Sequence, residues 1–151
     1  MANTQAMCTS FKGQLLTATH NFGVAPTRGA TTADTFKAAL YLASGTLSAA
    51  TTAYSTTNEV TGTGYTAGGI TVTNATVPTT SGTTAYWTPS ASLVYSSVTL
   101  STAFDTVLIY NSTQANAAVG VFTFGSQTVT AGTFTLTMPT NAAGTALLNL
   151  A

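Results

Sequence analysis

Six charged side chains occur in the chain, Lys12, Arg28, Asp34, Lys37, Glu59 and Asp105, beside one histidine, His20, and one cysteine, Cys8. Acid–base or nucleophilic chemistry would have to be assembled from these and from tyrosine. Asp34, Glu59 and Asp105 could supply the carboxylate pair of a hydrolase. They stand singly among threonine and alanine with no flanking motif, so the sequence predicts solvated or turn-capping acids. Cys8 and His20 are near enough in sequence to suggest a thiol–imidazole dyad, but no Gly-x-Ser-x-Gly elbow is present. His20 reads more simply as a residue near a helix C-terminus.

One cysteine and one histidine cannot close a four-ligand metal centre, and a single cysteine forms no internal disulfide. Cys8 therefore reads as a small buried hydrophobe. The glycines Gly62, Gly64, Gly68 and Gly69 have the wrong spacing for a phosphate loop, and no Lys-Ser or Lys-Thr follows them, so a bulge or tight β turn is expected. No catalytic residue, cofactor or metal is expected. The three basic residues lie in the first quarter of the chain and form no stripe that could neutralise phosphates, which argues against nucleic acid as a partner. The first ten residues contain no basic stretch followed by an apolar run, and no 18 consecutive apolar residues occur. Neither a leader nor a membrane partner is expected, and the chain should fold in a reducing cytoplasm. The sequons at Asn74 and Asn111 are then chance matches in a chain rich in Asn and Thr.

What the chain lacks in charge it has in hydroxyl groups. Charged residues make up 4% of 151, where about 25% is typical. Threonine alone is about a quarter of the chain. Disorder is disfavoured, because disordered chains combine low hydrophobicity with high net charge, whereas this chain has a mean hydropathy of +0.31 and zero formal net charge. A neutral surface lacks the repulsion that keeps monomers apart, so a homo-oligomer, dimer or trimer, is expected.

The elements follow from periodicity. Phe11, Leu15, Ala18 and Phe22 recur at helical spacing and predict an amphipathic helix over residues 4–20, made marginal by Gly13. Loop composition follows over 21–34. From Thr35 the period becomes two, with Phe36, Ala38, Leu40 and Leu42 on one side and Lys37, Ala39 and Tyr41 on the other. Further strands are predicted over 58–65, 69–77, 83–88, 92–100, 106–110, 117–124, 133–138 and 146–150. Gly68-Gly69, Ser81-Gly82, Asn111-Ser112, Gly125-Ser126, Ala131-Gly132 and Pro139 are expected to end them. The expectation is a single domain of the all-β class: an N-terminal helix or arm and loop over 1–33, then a jelly-roll-like β-sandwich over 34–151. The Thr-x-Thr pairs keep no fixed period, which disfavours a β-solenoid and an ice-binding array. Tyr86, Trp87, Tyr95, Phe104, Tyr110, Phe122, Phe124 and Phe134 fall in these strands, where alternation would bury many of them. Tyr86 and Trp87 could alternatively form a contact face for a sugar or partner.

The order of the segments Cys8-Thr9-Ser10-Phe11-Lys12, Gln14-Leu15-Leu16, His20-Asn21-Phe22 and Asp34-Thr35-Phe36-Lys37-Ala38-Ala39-Leu40-Tyr41 resembles a family of small tailed-bacteriophage virion structural proteins. The resemblance continues through Ala53-Tyr54-Ser55-Thr56-Thr57-Asn58-Glu59-Val60, Gly62-Thr63-Gly64-Tyr65-Thr66-Ala67-Gly68-Gly69, Ile109-Tyr110-Asn111-Ser112, Phe124-Gly125 and Gly132-Thr133-Phe134. It implies a non-enzymatic particle component, with capsid decoration or cement as the leading role. The major capsid protein would be its partner and the capsid exterior its location, after synthesis in the host cytoplasm. The alternatives are a tail- or head-fibre adhesin domain that binds host glycans through Tyr86 and Trp87, and another tail or neck component.

Overall fold

β-Branched and aromatic residues at alternating positions favour extended chain, and among the described residues eight strands, the longest of 20 residues, stand against one helix of eight. The computed structural model describes residues 2–16, 19–22, 33–73 and 77–151; Arg28, Ala18 and the sequon at Asn74 lie outside them. In chain order the elements are β1 (Ala6–Met7), α1 (Thr9–Leu16), β2 (Phe36–Leu42), β3 (Ile70–Thr71), β4 (Thr79–Ser81), β5 (Thr84–Trp87), β6 (Leu93–Asn111), β7 (Ala117–Leu136) and β8 (Leu148–Leu150). They form two antiparallel sheets, ordered β1-β7-β6-β2-β3 and β4-β5-β8. The fold is all-β and sandwich-like with one short N-terminal helix, as expected from the sequence.

The helix is shorter than its periodicity predicts. Ala6 and Met7 are extended and pair with Val121 and Gly120 of β7. Asn3 bonds Leu42 O and receives Leu47 N–H, and Thr4 N–H donates to Leu47 O. A backbone ladder and these anchors outweigh a marginal helix that contains a glycine. Phe11 and Leu15 nevertheless face one apolar pocket, which Phe22 and Trp87 also line.

β2 is buried on both sides, because β6 and β3 flank it and other chain segments cover its faces. The strand expected over 58–65 is reduced to isolated bridges at Glu59 and Thr63; of that expected over 69–77 the described residues keep β3, and 74–76 lie outside them. The cause is close backbone approach: a Cβ on Gly62 would overlap Thr99 O, and one on Gly69 would overlap Ala38 O. The segment therefore meets the edges of β2 and β6 at single bridges instead of as a continuous strand.

The larger departure is in the ribbon. The strands expected over 92–100 and 106–110 are one strand, β6, and those over 117–124 and 133–138 are one strand, β7. Gly125 and Ala131 do not end strands. Both have positive φ and sit at register shifts, where Phe104↔Gln127 gives way to Thr106↔Thr123 and Val98↔Gly132 to Leu100↔Val129. Bulges of this kind bend and twist a strand while keeping it paired. A straight strand would set Phe124 and Phe134 about 33 Å apart, yet their ring centroids lie 5.3 Å apart. The ribbon thus folds back on itself around Phe104, Phe124 and Phe134. Tyr95, opposite Phe134, crosses to β2 and donates to Ala38 O at 2.8 Å. The smaller sheet docks through Trp87, whose ring lies 4.8 Å from Phe22 and 6.2 Å from Phe36.

Gly69 and Gly82 separate close approach from conformational strain. Both have positive φ, but nothing lies within 4 Å of a Cβ placed on Gly82. Gly82→Ala should cost about 1 kcal/mol, and Gly69→Ala on the order of 3 kcal/mol, as read by chemical denaturation. Equal costs would mean that the approach to Ala38 is not tight.

Candidate functional site

A carboxylate removed from water requires donors, and Glu59, 6% exposed, has three. Tyr54 donates to Oε2 at 2.6 Å, while Tyr65 and the Gly68 N–H donate to Oε1 at 2.7 Å each. The backbone sets this up: Glu59 bridges Tyr41 of β2, and Val60 N–H donates to Leu40 O. The turn in which Gly69 N–H donates to Thr66 O then brings the Gly68 amide back to the carboxylate.

Five tyrosines surround this point, each with its hydroxyl committed. Tyr65 Oη also accepts Leu40 N–H, Tyr41 donates to Ser55 O at 2.5 Å, and Tyr110 donates to Gly68 O at 2.8 Å. Tyr95 donates to Ala38 O. Tyr54 stacks on Tyr110 with centroids 4.7 Å apart, and Tyr65 on Tyr95 at 6.1 Å. Burial pushes the phenol pKa of Tyr41, Tyr54, Tyr65, Tyr95 and Tyr110 above the ordinary value. For Tyr54 and Tyr65, donation to the Glu59 carboxylate adds to the shift. The arrangement holds protons in place and so fixes residues 54–69 onto β2 and β6.

A second network joins the segment before β2 to the β6–β7 hairpin. Asp34 Oδ2 accepts from Asn111 Nδ2 at 2.7 Å and from Asn21 N–H at 2.9 Å, and Oδ1 accepts from Gln114 Nε2 at 3.3 Å. Asn111 Nδ2 also lies 3.1 Å from His20 Nδ1, and His20 Nε2 lies 2.8 Å from Gln14 Oε1. An imidazole that accepts at Nδ1 and donates from Nε2 is neutral. Burial lowers the His20 pKa, with the Asp34 charge opposing in part. Asn111 is fully buried, and its Oδ1 caps Thr113 and Gln114, so this sequon is not displayed.

The sequence expectations sort accordingly. Asp34 and Glu59 are buried and donor-bound, not solvated. Asp105, half-buried, accepts from Asn3 at 2.9 Å and Thr106 at 2.6 Å. The three acids thus occupy separate networks and make no catalytic pair. Cys8 is fully buried with its thiol pKa pushed up to about 11, and both His20 ring nitrogens have partners, so no dyad forms. Tyr86 is half-buried and Trp87 is 2% exposed within the aromatic core, and both line the apolar pocket that Phe11 and Leu15 face. Among the described residues no group of three or more His, Cys, Asp or Glu side chains comes together, and no helix is long and apolar enough to cross a membrane. Sequence reasoning missed the tyrosine ring; its only local trace is Tyr54, Glu59, Tyr65 and Gly68 within fifteen residues. The chain matches no protein-family model, no curated protein and no solved structure.

Two outcomes test the network. Glu59→Ala leaves three donors without their acceptor and should cost about 3 kcal/mol or more, whereas Glu59→Gln, which keeps one carbonyl oxygen, should cost about 1–2 kcal/mol. Urea titration reads both. An unfolded tyrosine ionises near pH 10, and the folded phenols ionise higher, so stability is intact below that pH and falls as pH rises past it. The tyrosinate absorbance of these five residues should then appear together with the loss of far-ultraviolet dichroism. Full ionisation with the dichroism unchanged would contradict the network.

Proposed function

We propose that the protein is a non-enzymatic structural subunit of a tailed-phage particle, a decoration or cement protein bound to the major capsid protein on the capsid exterior. The observation that carries this reading is where the few charges go. Of the five charged residues described, Asp34 and Glu59 are buried, Lys37 and Asp105 are half-buried, and Lys12 alone is exposed. The remaining surface is dominated by hydroxyl and small side chains. Such a surface can be covered permanently with little desolvation of charge, its hydroxyls pairing with neighbouring main chain. The acids and the histidine support the same reading, because their hydrogen-bonding capacity is directed to holding segments of the chain together.

The resemblance of segments along the chain to small phage virion proteins supplies the setting. The capsid site accounts for a neutral protein made to bind many equivalent positions, where a second contact by an oligomer multiplies modest affinity. The adhesin alternative is less favoured, because Trp87, one of the two aromatics it would use, is only 2% exposed.

Labelled protein added to isolated capsids should bind at regular lattice positions in a particle reconstruction. Its affinity should change less than about threefold between low and molar salt, since few charges are left to screen. Density on the tail or neck alone would replace the capsid role with the other structural one, and no association with any particle would end the reading.

A further inference from the structure

Among the described residues the outer edge of β7 is covered only over its first part: Ala53 bridges Ala117, Ala118 N–H donates to Thr52 O, Cys8 N–H donates to Val119 O, β1 pairs Gly120 and Val121, and the Gln5 side chain reaches Thr123. Over residues 124–136 no strand among the described residues pairs with the side facing away from β6. A strand edge offers unpaired N–H and C=O groups to another strand, and natural proteins blunt such edges with charges, prolines or bulges. Bulges occupy the stretch up to Gly132. Beyond it, Phe134, Thr135 and Leu136 run in unbroken register with Tyr95, Val94 and Leu93. This part holds no proline and no charge, and indeed no charged residue occurs anywhere in 106–151.

We infer that residues 133–136 pair antiparallel with the same residues of a second copy, about a two-fold axis. A two-fold contact sets a surface against itself, so any charge on the edge would meet its like; here there is none to meet. Thr133 and Thr135 are exposed and supply cross-strand threonine contacts. Val94, directly opposite Thr135, is 44% exposed and adds apolar area next to the edge. So short a strand buries less than the roughly 800 Å² per partner of a standard interface, so the dimer dissociates on dilution. Edge pairing needs no capsid and goes beyond the role proposed above.

The test is sedimentation of the full chain over a range of concentrations. The natural sequence should form dimers that dissociate on dilution. Thr133→Lys with Thr135→Lys, and Thr133→Glu with Thr135→Glu, should each weaken the dimer at least roughly tenfold by placing like charges opposite each other. An equimolar mixture of the two variants should restore it whatever the register. Should the substitutions disturb the fold, hydrogen exchange of the natural sequence decides: amides of 133–136 should be protected at high concentration and exchange faster on dilution. A monomer at every concentration, a lysine variant that dimerises like the natural sequence, or exchange independent of concentration would overturn the inference.

Discussion

Taking the Glu59 carboxylate out of water costs several kcal/mol, even after the protein relaxes around it. Three hydrogen bonds to a charged acceptor, at about 1.5–3 kcal/mol each, are of the size needed to offset that. The donors are two phenols and one main-chain amide. Neutral donors must be brought close and aimed, because they lack the long reach of a cation's field. That requirement fixes where residues 54–69 lie. Once Tyr54, Tyr65 and Gly68 point at one carboxylate, the intervening backbone is pressed onto β2 and β6, and glycine is needed where carbonyl oxygens approach.

The same cluster ties the folded ribbon together. Tyr110 belongs to the half of β6 paired with β2, and Tyr95 to the half that folds back. Tyr110 bonds the Gly68 carbonyl and Tyr95 the Ala38 carbonyl, so both halves are referenced to the strand and the turn that hold Glu59. Bulges alone would bend the ribbon without saying where its outer half must land. The phenol contacts supply that position, and Phe104, Phe124 and Phe134 fill the bend.

Features decided within a few residues were legible in the sequence. The period-two pattern placed β2, Ser81-Gly82 marked the β4–β5 turn, and Asn111-Ser112 marked the end of β6. Gly125 and Ala131 misled because a residue suited to positive φ serves a turn and a bulge equally well; only the partner strand distinguishes them. Trp87 was placed in a strand correctly, but alternation does not say whether a face is covered, and Phe22 and Phe36 cover this one. Glu59 was the hardest to read, since two tyrosines of its surrounding ring, Tyr95 and Tyr110, lie far along the chain on a ribbon whose fold-back is itself not local. The Asp34 network hid for the same reason, with Asn111 and Gln114 nearly eighty residues away.

Folding, and the association proposed above, draw on one chemical resource. A hydroxyl leaving water can be satisfied by one or two neutral partners, whereas a lysine or glutamate needs a matched ion with good geometry. A threonine-rich surface can therefore be covered by many shapes at low cost, and charge does little to tell partners apart. Discrimination then has to come from geometry, from which strand meets which and in what register. A β-edge supplies that, because a one-residue slip exchanges the faces of every side chain. On β7 the pairing with β6 holds Phe134 inward and Thr133 and Thr135 outward, so a slipped incoming strand would present its faces the wrong way round, and the packing that holds the fold also limits how its edge can be met.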